Sequence, residues 1–370
     1  MNPVLQRLVR RPTFPPALIL PTVIMLIFSF FALSAATDPQ RVMPVVSLGI
    51  VDLDSASPAP IGPRLAAGLD QALPMSVVSF AAEADGRRAL DEGDVVALLV
   101  IPEGFAASLG QGTPATLPII VSQHLSQLEG QLVTTLPVQL QAVIGGAVSA
   151  LAGGAANPPP APMVTVVPEF LHAAPNPTAL VAPAVMLQAT WLAGFVGALL
   201  VFITTRGERT REAALTVSMF RSVVPLVATA LASLVLAIVV SWTTGLWGSV
   251  FVIWGVVWVS AAAVALLFLG LFSLLSFAAI VIVLPTVFYQ AALAGAQAPI
   301  AALPDWLRWA ADAVPFSAVV EGYRWALIGG PDSWNPWGTM LIIAAIGLAL
   351  VWIGTFVHAR LRRVTIAAAT

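Results

Sequence analysis

In the stretch VVEGYRWALIGG, Val319 to Gly330, Glu321 and Arg324 stand three residues apart, a spacing that on a helix brings a carboxylate and a guanidinium within ion-pair reach. At membrane depth an unpaired charge costs about 2.5–3.5 kcal/mol on insertion scales, so each is expected to hold the other. Such a pair makes and breaks no bonds; it can recognise, gate or brace. It serves either as a gate or substrate contact at the outer end of a pathway, or as a structural tie for a re-entrant hairpin. Gln188, the only strongly polar side chain in the uncharged block Leu180 to Thr205, joins it as a candidate on a substrate path.

A second group of charges lies in TTRGERTREAALTVSMFR, Thr204 to Arg221, which reads as a short amphipathic surface helix. Arg206, Glu208, Arg209, Arg211 and Glu212 either dock a cytoplasmic partner or form a basic flank that fixes topology and touches anionic lipid.

Catalysis finds little support. The sequence has no Lys, so a Walker A loop is impossible and nucleotide hydrolysis by that route is excluded. Without Cys there is neither a thiolate nucleophile nor a disulfide. His124, His172 and His358 lack the i, i+4 spacing of a metal pair. Asp52 and Asp54 in VDLDS follow a strand, where turn-forming Asp is the simpler account. The expectation is a chain that is not an enzyme, with no cofactor, no metal and no nucleic-acid partner.

The elements that position these residues follow from composition. Hydrophobic residues make up 59% of the 370 and charged ones 9%, against about 45–50% and 25% in a soluble domain. Ala17 to Ala36 is an uncharged run preceded by Arg7, Arg10 and Arg11. A cleaved signal peptide has an apolar core of only about 7–15 residues, so this run reads as an uncleaved anchor, although SAA offers a cleavage site. A second span runs from Leu180 to Thr205 and a last from Trp337 to Val357. Between Ser222 and Pro304 no charge appears, and three spans fit there, divided at Trp242 to Gly248 and near Gly270.

The result is an α-helical polytopic protein of the plasma membrane with six transmembrane helices and cytoplasmic N- and C-termini. Its cytoplasmic side then holds Arg7, Arg10, Arg11, Arg206, Arg209, Arg211, Arg221, Arg360, Arg362 and Arg363 against Glu208 and Glu212 alone, the positive-inside asymmetry.

Residues 1–36 form the N-terminus and first helix, 37–177 an extracytoplasmic α/β domain inserted between helices 1 and 2, and 178–370 a five-helix transmembrane domain. Within 37–177, strands beginning near Val45, Ser76, Val95 and Leu117 alternate with helices at Gly62 to Leu73, Ala82 to Glu92 and Glu103 to Leu109, which argues for a largely parallel sheet. The helix from Leu125, containing Pro137, is either a stalk toward the membrane or a cover for the sheet. Asn157 to Pro162 is a stiff linker and VTVV an edge strand. Residues 299–335 form an interfacial or re-entrant hairpin. There Asp305, Arg308 and Asp312 share one helical face, and Trp306, Trp309, Trp325, Trp334 and Trp337 suit the headgroup level.

This order of one span, an α/β outer domain and five spans resembles the ABC transporter type-2 permease superfamily, in particular its phage-infection-protein (Pip-like) branch. The resemblance is carried by IVDLDS, GDVVALLVIPEGFAASLGQG, NPTALVAPAVMLQATWLAGFVGALL and LPDWLRWAADAVPFSAVVEGYRWALIGG. It implies a homodimeric permease exporting an amphiphilic or lipid-like substrate, with a separate cytoplasmic ATPase. It also implies a coupling helix of the form Arg-Glu-x-Glu-x-Gly-Thr after the second span. Here the match is RGERTRE, which keeps Arg206 and Glu208 and lacks the Gly-Thr pair. The alternative is a non-transporting envelope receptor or scaffold of the Pip-like kind.

Overall fold

The computed structural model describes residues 43–55, 62–151, 164–206, 211–296, 298–313, 316–330 and 336–367. The expected first span, Ala17 to Ala36, with Arg7, Arg10 and Arg11, and the linker Asn157 to Pro162 lie outside them.

In the first half, short apolar runs become strands β1 (Ser47–Asp52), β2 (Ser76–Phe80), β3 (Ala97–Ile101), β4 (Ala115–Val121) and β5 (Val164–Phe170). They form one sheet in the order β2-β1-β3-β4-β5. β1 pairs in parallel with β2 and β3, and β4 with β5; β3 and β4 run antiparallel. The unbroken apolar run of β3 is buried throughout because helices cover both sheet faces. Helices α1 (Gly62–Ala72) and α4 (Gln127–Leu151) cover one face, and α2 (Glu83–Glu92) the other.

The expectation for α4 as a cover is met by Val133, Leu136, Leu140 and Ile144, which recur at helical spacing and are buried against the sheet. Its Gln141 bonds the Val164 carbonyl and the Val166 N–H, so a side-chain amide satisfies edge-strand groups that have no neighbouring strand. The paired Asp residues are structural. Asp52 accepts from the Asp54 N–H, and Asp54 accepts from the N–H groups of Gly104 and Ala106 at the start of α3 (Phe105–Gly110).

The second half is helical: α5 (Pro177–Thr205), α6 (Arg211–Thr244), α7 (Val250–Leu275), α8 (Ile280–Leu293), α9 (Asp305–Ala313), α10 (Phe316–Ile328) and α11 (Pro336–Ala367). Asn176 caps α5 by accepting from the Ala179 N–H, and Pro177 fills the first turn. Among the described residues four helices are long and apolar enough to cross a membrane, with Trp247–Val287, covering α7 and most of α8, counted as one run. The chain reverses between α6 and α7 at Gly245, where φ is 77°.

The division expected near Gly270 is corrected. Gly270 lies inside α7, and the break falls at Ser276–Ala279, where Ser276 has φ 57°. Gly270 is a packing residue: a Cβ there would meet the Gly347 carbonyl oxygen at 2.7 Å. Gly347 and Gly354 of α11 abut the α7 backbone in the same way, so missing side chains let the two helices approach closely.

Replacing Gly347 with Val places a Cβ 2.4 Å from the Leu267 nitrogen. A clear fall in the melting midpoint of the detergent-solubilised protein is expected. Gly197→Ala meets nothing within 4 Å and should leave that midpoint unchanged.

Candidate functional site

The end of α10 meets the α/β unit. Gly329, in the left-handed region at φ 89°, stops the helix where a side chain would strain the backbone. Three residues past β4, His124 sits in the turn before α4, its N–H on Ser122 Oγ. The start of α4 is fixed by a capping box: the Ser126 N–H donates to Glu129, and the Glu129 N–H to Ser126 Oγ. The Gln127 N–H reaches the Ala296 carbonyl just beyond α8.

Around this turn the expected pair closes. Arg324, 7% exposed, donates to Glu321 Oε1 at 2.7 Å and to the Gly295 carbonyl at 2.8 Å. Glu321 Oε2 lies 2.5 Å from His124 Nε2, and His124 Nδ1 lies 2.8 Å from the Gly329 carbonyl. A carbonyl only accepts, so Nδ1 carries a hydrogen. Burial raises the Glu321 carboxyl, but the His124 hydrogen bond and the Arg324 charge outweigh it and hold the carboxyl below its ordinary 4.5. Glu321 is therefore ionised near neutrality, accepting at Oε1 from Arg324 with His124 Nε2 against Oε2.

A second pair flanks the first: His172 Nε2 contacts Asp91 Oδ1 at 2.5 Å. Between them lies a cleft of about 320 Å³ lined by Asp91, Glu92, His124, Glu129, Glu321 and Arg324. It is carboxylate-rich, and no group of His, Cys, Asp or Glu among the described residues is arranged to hold a metal ion.

Gln188 is not part of this site. It is exposed on α5, on the same face as Val185 and Leu192. Two residues on, Thr190 faces the hairpin and bonds the Tyr323 hydroxyl at 2.7 Å.

At the opposite end of the helices, Arg206 follows α5 with its guanidinium 4.6 Å above the Phe277 ring. Glu208 and Arg209 lie outside the described residues, and Arg211 and Glu212 open α6. The dominant charge here is Arg221, 6% exposed. It donates to Thr205 Oγ1 at 2.8 Å and to Ser273 Oγ and Thr355 Oγ1 at 3.1 Å, joining α5, α6, α7 and α11.

Sequence reasoning missed His124 as a partner of Glu321 and Arg221 as a hub. The first lies 197 residues from its partner, beyond any local spacing rule. The second had a signal: it is the last charge before the uncharged run, while hydroxyls occur near the ends of three apolar blocks.

Comparison with protein families matches residues 17–356 to the family described as ABC-2 family transporter protein. Neither curated proteins nor solved structures give a match.

Because Glu321 is held below its ordinary value, the contribution of its carboxylate to the junction is fully present above about pH 4.5 and is lost as the pH falls through the lowered value. Amide protection at residues 123–130 and 321–330, taken relative to the intrinsic exchange rate at each pH, is therefore expected to hold down to about pH 5 and to fall together under stronger acid; an early fall in one segment alone would contradict the pairing. Arg221→Ala should lower the melting midpoint. Arg221→Lys should recover only part of the loss, since an ammonium lacks the guanidinium fork that spans these hydroxyls.

Proposed function

Because the chain belongs to the ABC-2 family of transporter proteins, a family of permeases rather than enzymes, we propose that it is the membrane subunit of an exporter for amphiphilic or lipid-like substrates. The observation that carries this reading is the family match, which runs from the first apolar block through the last helix. Permeases of this family usually work with a cytoplasmic ATPase. These 370 residues contain no Lys and so no Walker A loop of their own, which fits energy supplied by such an ATPase.

In this account the protein is a homodimer with six spans per chain, multi-pass in the plasma membrane, with both termini cytoplasmic. Ala17 to Ala36 is the first span, and α7 and α8 are separate crossings. The α/β unit lies outside the membrane, and α9 and α10 form a re-entrant hairpin. Support comes from the positions of helix ends. The Asn176 side chain at the start of α5 reaches the Thr243 carbonyl at the end of α6, and Arg221 gathers the opposite ends. Among the described residues, Arg206, Arg211, Arg360, Arg362 and Arg363 lie at helix ends on the same side as Arg221, as the positive-inside rule requires of a cytoplasmic side.

Glu321, Arg324 and His124 then stand where an outer domain meets the exit of a pathway, suited to a gate. Arg206, Glu208, Arg209, Arg211 and Glu212 form the face for the ATPase and for anionic lipid. The missing Gly-Thr pair supports a place near the phage-infection-protein branch.

Purification of the tagged full-length protein from its native membrane in mild detergent should bring down a Walker-motif ATPase in stoichiometric amount. Arg206→Ala with Glu208→Ala should release it. Recovery of the protein with no ATPase would overturn the exporter reading. Export lost in Glu321→Gln with normal expression supports the gate, and wild-type export in that variant sinks it.

A further inference from the structure

Between α5, α7, α8, α10 and α11 lies a second cavity, of about 180 Å³ and without a charged residue on its wall. Its floor includes Trp191, Val264, Phe268, Val283 and Val319, all buried. The hydroxyl on its wall, Thr286 Oγ1, donates back onto the Val283 carbonyl at 2.7 Å, so its hydrogen is not offered to a guest. An apolar cavity of about 150 Å³ stays dry and takes up small apolar molecules, so this one has no use for water.

Two observations say what fills it. The lining on α7 runs from Ala263 to Leu271, about 12 Å along the axis at 1.5 Å per residue, so the space is long rather than round. Its rim includes Ile282, 50% exposed, and the partly buried Leu267 and Leu271, so it opens sideways. What surrounds these helices in a bilayer is hydrocarbon chain. The opening has a structural cause: α8 has only 14 residues, contains Pro285, and packs mainly on α5 rather than α7.

We propose that this cavity is a binding site for the hydrocarbon chain of an amphiphile, entered sideways from the bilayer. Helix α10 lends Val319 to the cavity and Glu321 and Arg324 to the outer cleft. A chain held in the cavity thus directs its polar end along α10 toward the cleft. The inference deepens the proposed substrate class and rests on the helices lying in a bilayer. It does not rest on an ATPase, so failed ATPase capture with intact chain binding would separate the two.

The test is photolabelling of the full-length protein in vesicles of phosphatidylcholine and phosphatidylglycerol. One arm carries a phosphatidylcholine with a diazirine in its acyl chain, and the other palmitic acid with a mid-chain diazirine. Adducts are expected on the buried Phe268 and Val283 as well as on the lipid-facing Leu231. Ala263→Phe should reduce the first two to background and leave Leu231 unchanged; if that variant fails to fold, Ala263→Leu should give a partial reduction. Labelling by the phospholipid alone identifies a bilayer lipid, and labelling by palmitic acid as well identifies a single-chain amphiphile; either supports the site. Label on Leu231 with none on Phe268 and Val283, or label there that a folded filling variant does not reduce, overturns it.

Discussion

A hydrocarbon surround offers no hydrogen bonds, so a charge among the helices persists only where protein groups replace water around it. The helical half of this chain meets that requirement at its two ends. Arg221 is held by hydroxyls drawn from α5, α7 and α11, so satisfying one guanidinium fixes four helices relative to one another. At the other end Arg324 turns to Glu321 and the Gly295 carbonyl, which fixes α10 against the chain leaving α8. Between these ends, glycines at 270, 347 and 354 bring α7 and α11 into backbone contact, where van der Waals packing stands in for the weak hydrophobic drive between helices in lipid.

The same requirement joins the two halves of the molecule. Arg324 compensates one oxygen of Glu321, and the other lies against His124 Nε2. Since His124 also bonds the Gly329 carbonyl, a single imidazole holds the end of the hairpin to the turn that starts α4. Movement of the α/β unit is thereby tied to movement of α10, the helix that lines both the polar cleft and the apolar cavity. For an exporter of amphiphiles this places head-group and tail environments on one element.

Much of this architecture was legible in sequence, for identifiable reasons. The Glu321 and Arg324 spacing gave their pairing, the apolar run ALLVI gave a buried strand, and Gly93 marked the end of α2, where its φ is 84°. These are local signals. The pairing of His124 with Glu321 is not local and leaves no periodic trace. Gly270 misled because glycine weakens helices in water, whereas in lipid the unsatisfied backbone of a break costs more and small residues are kept for packing. Polarity in an apolar block does not say which way a side chain faces: Gln188 is exposed on α5, and it is Thr190 that meets the hairpin.

The central claim is that the contact between His124 and Glu321 couples the α/β unit to the membrane helices, and a double-mutant cycle between these two residues tests it most directly. Melting midpoints in detergent would be taken for His124→Ala, Glu321→Gln and the double variant. The account predicts strong non-additivity, with the double variant little worse than either single one, and an interaction of about 0.5–3 kcal/mol. Losses that simply add would show that the two residues act independently and would contradict the coupling.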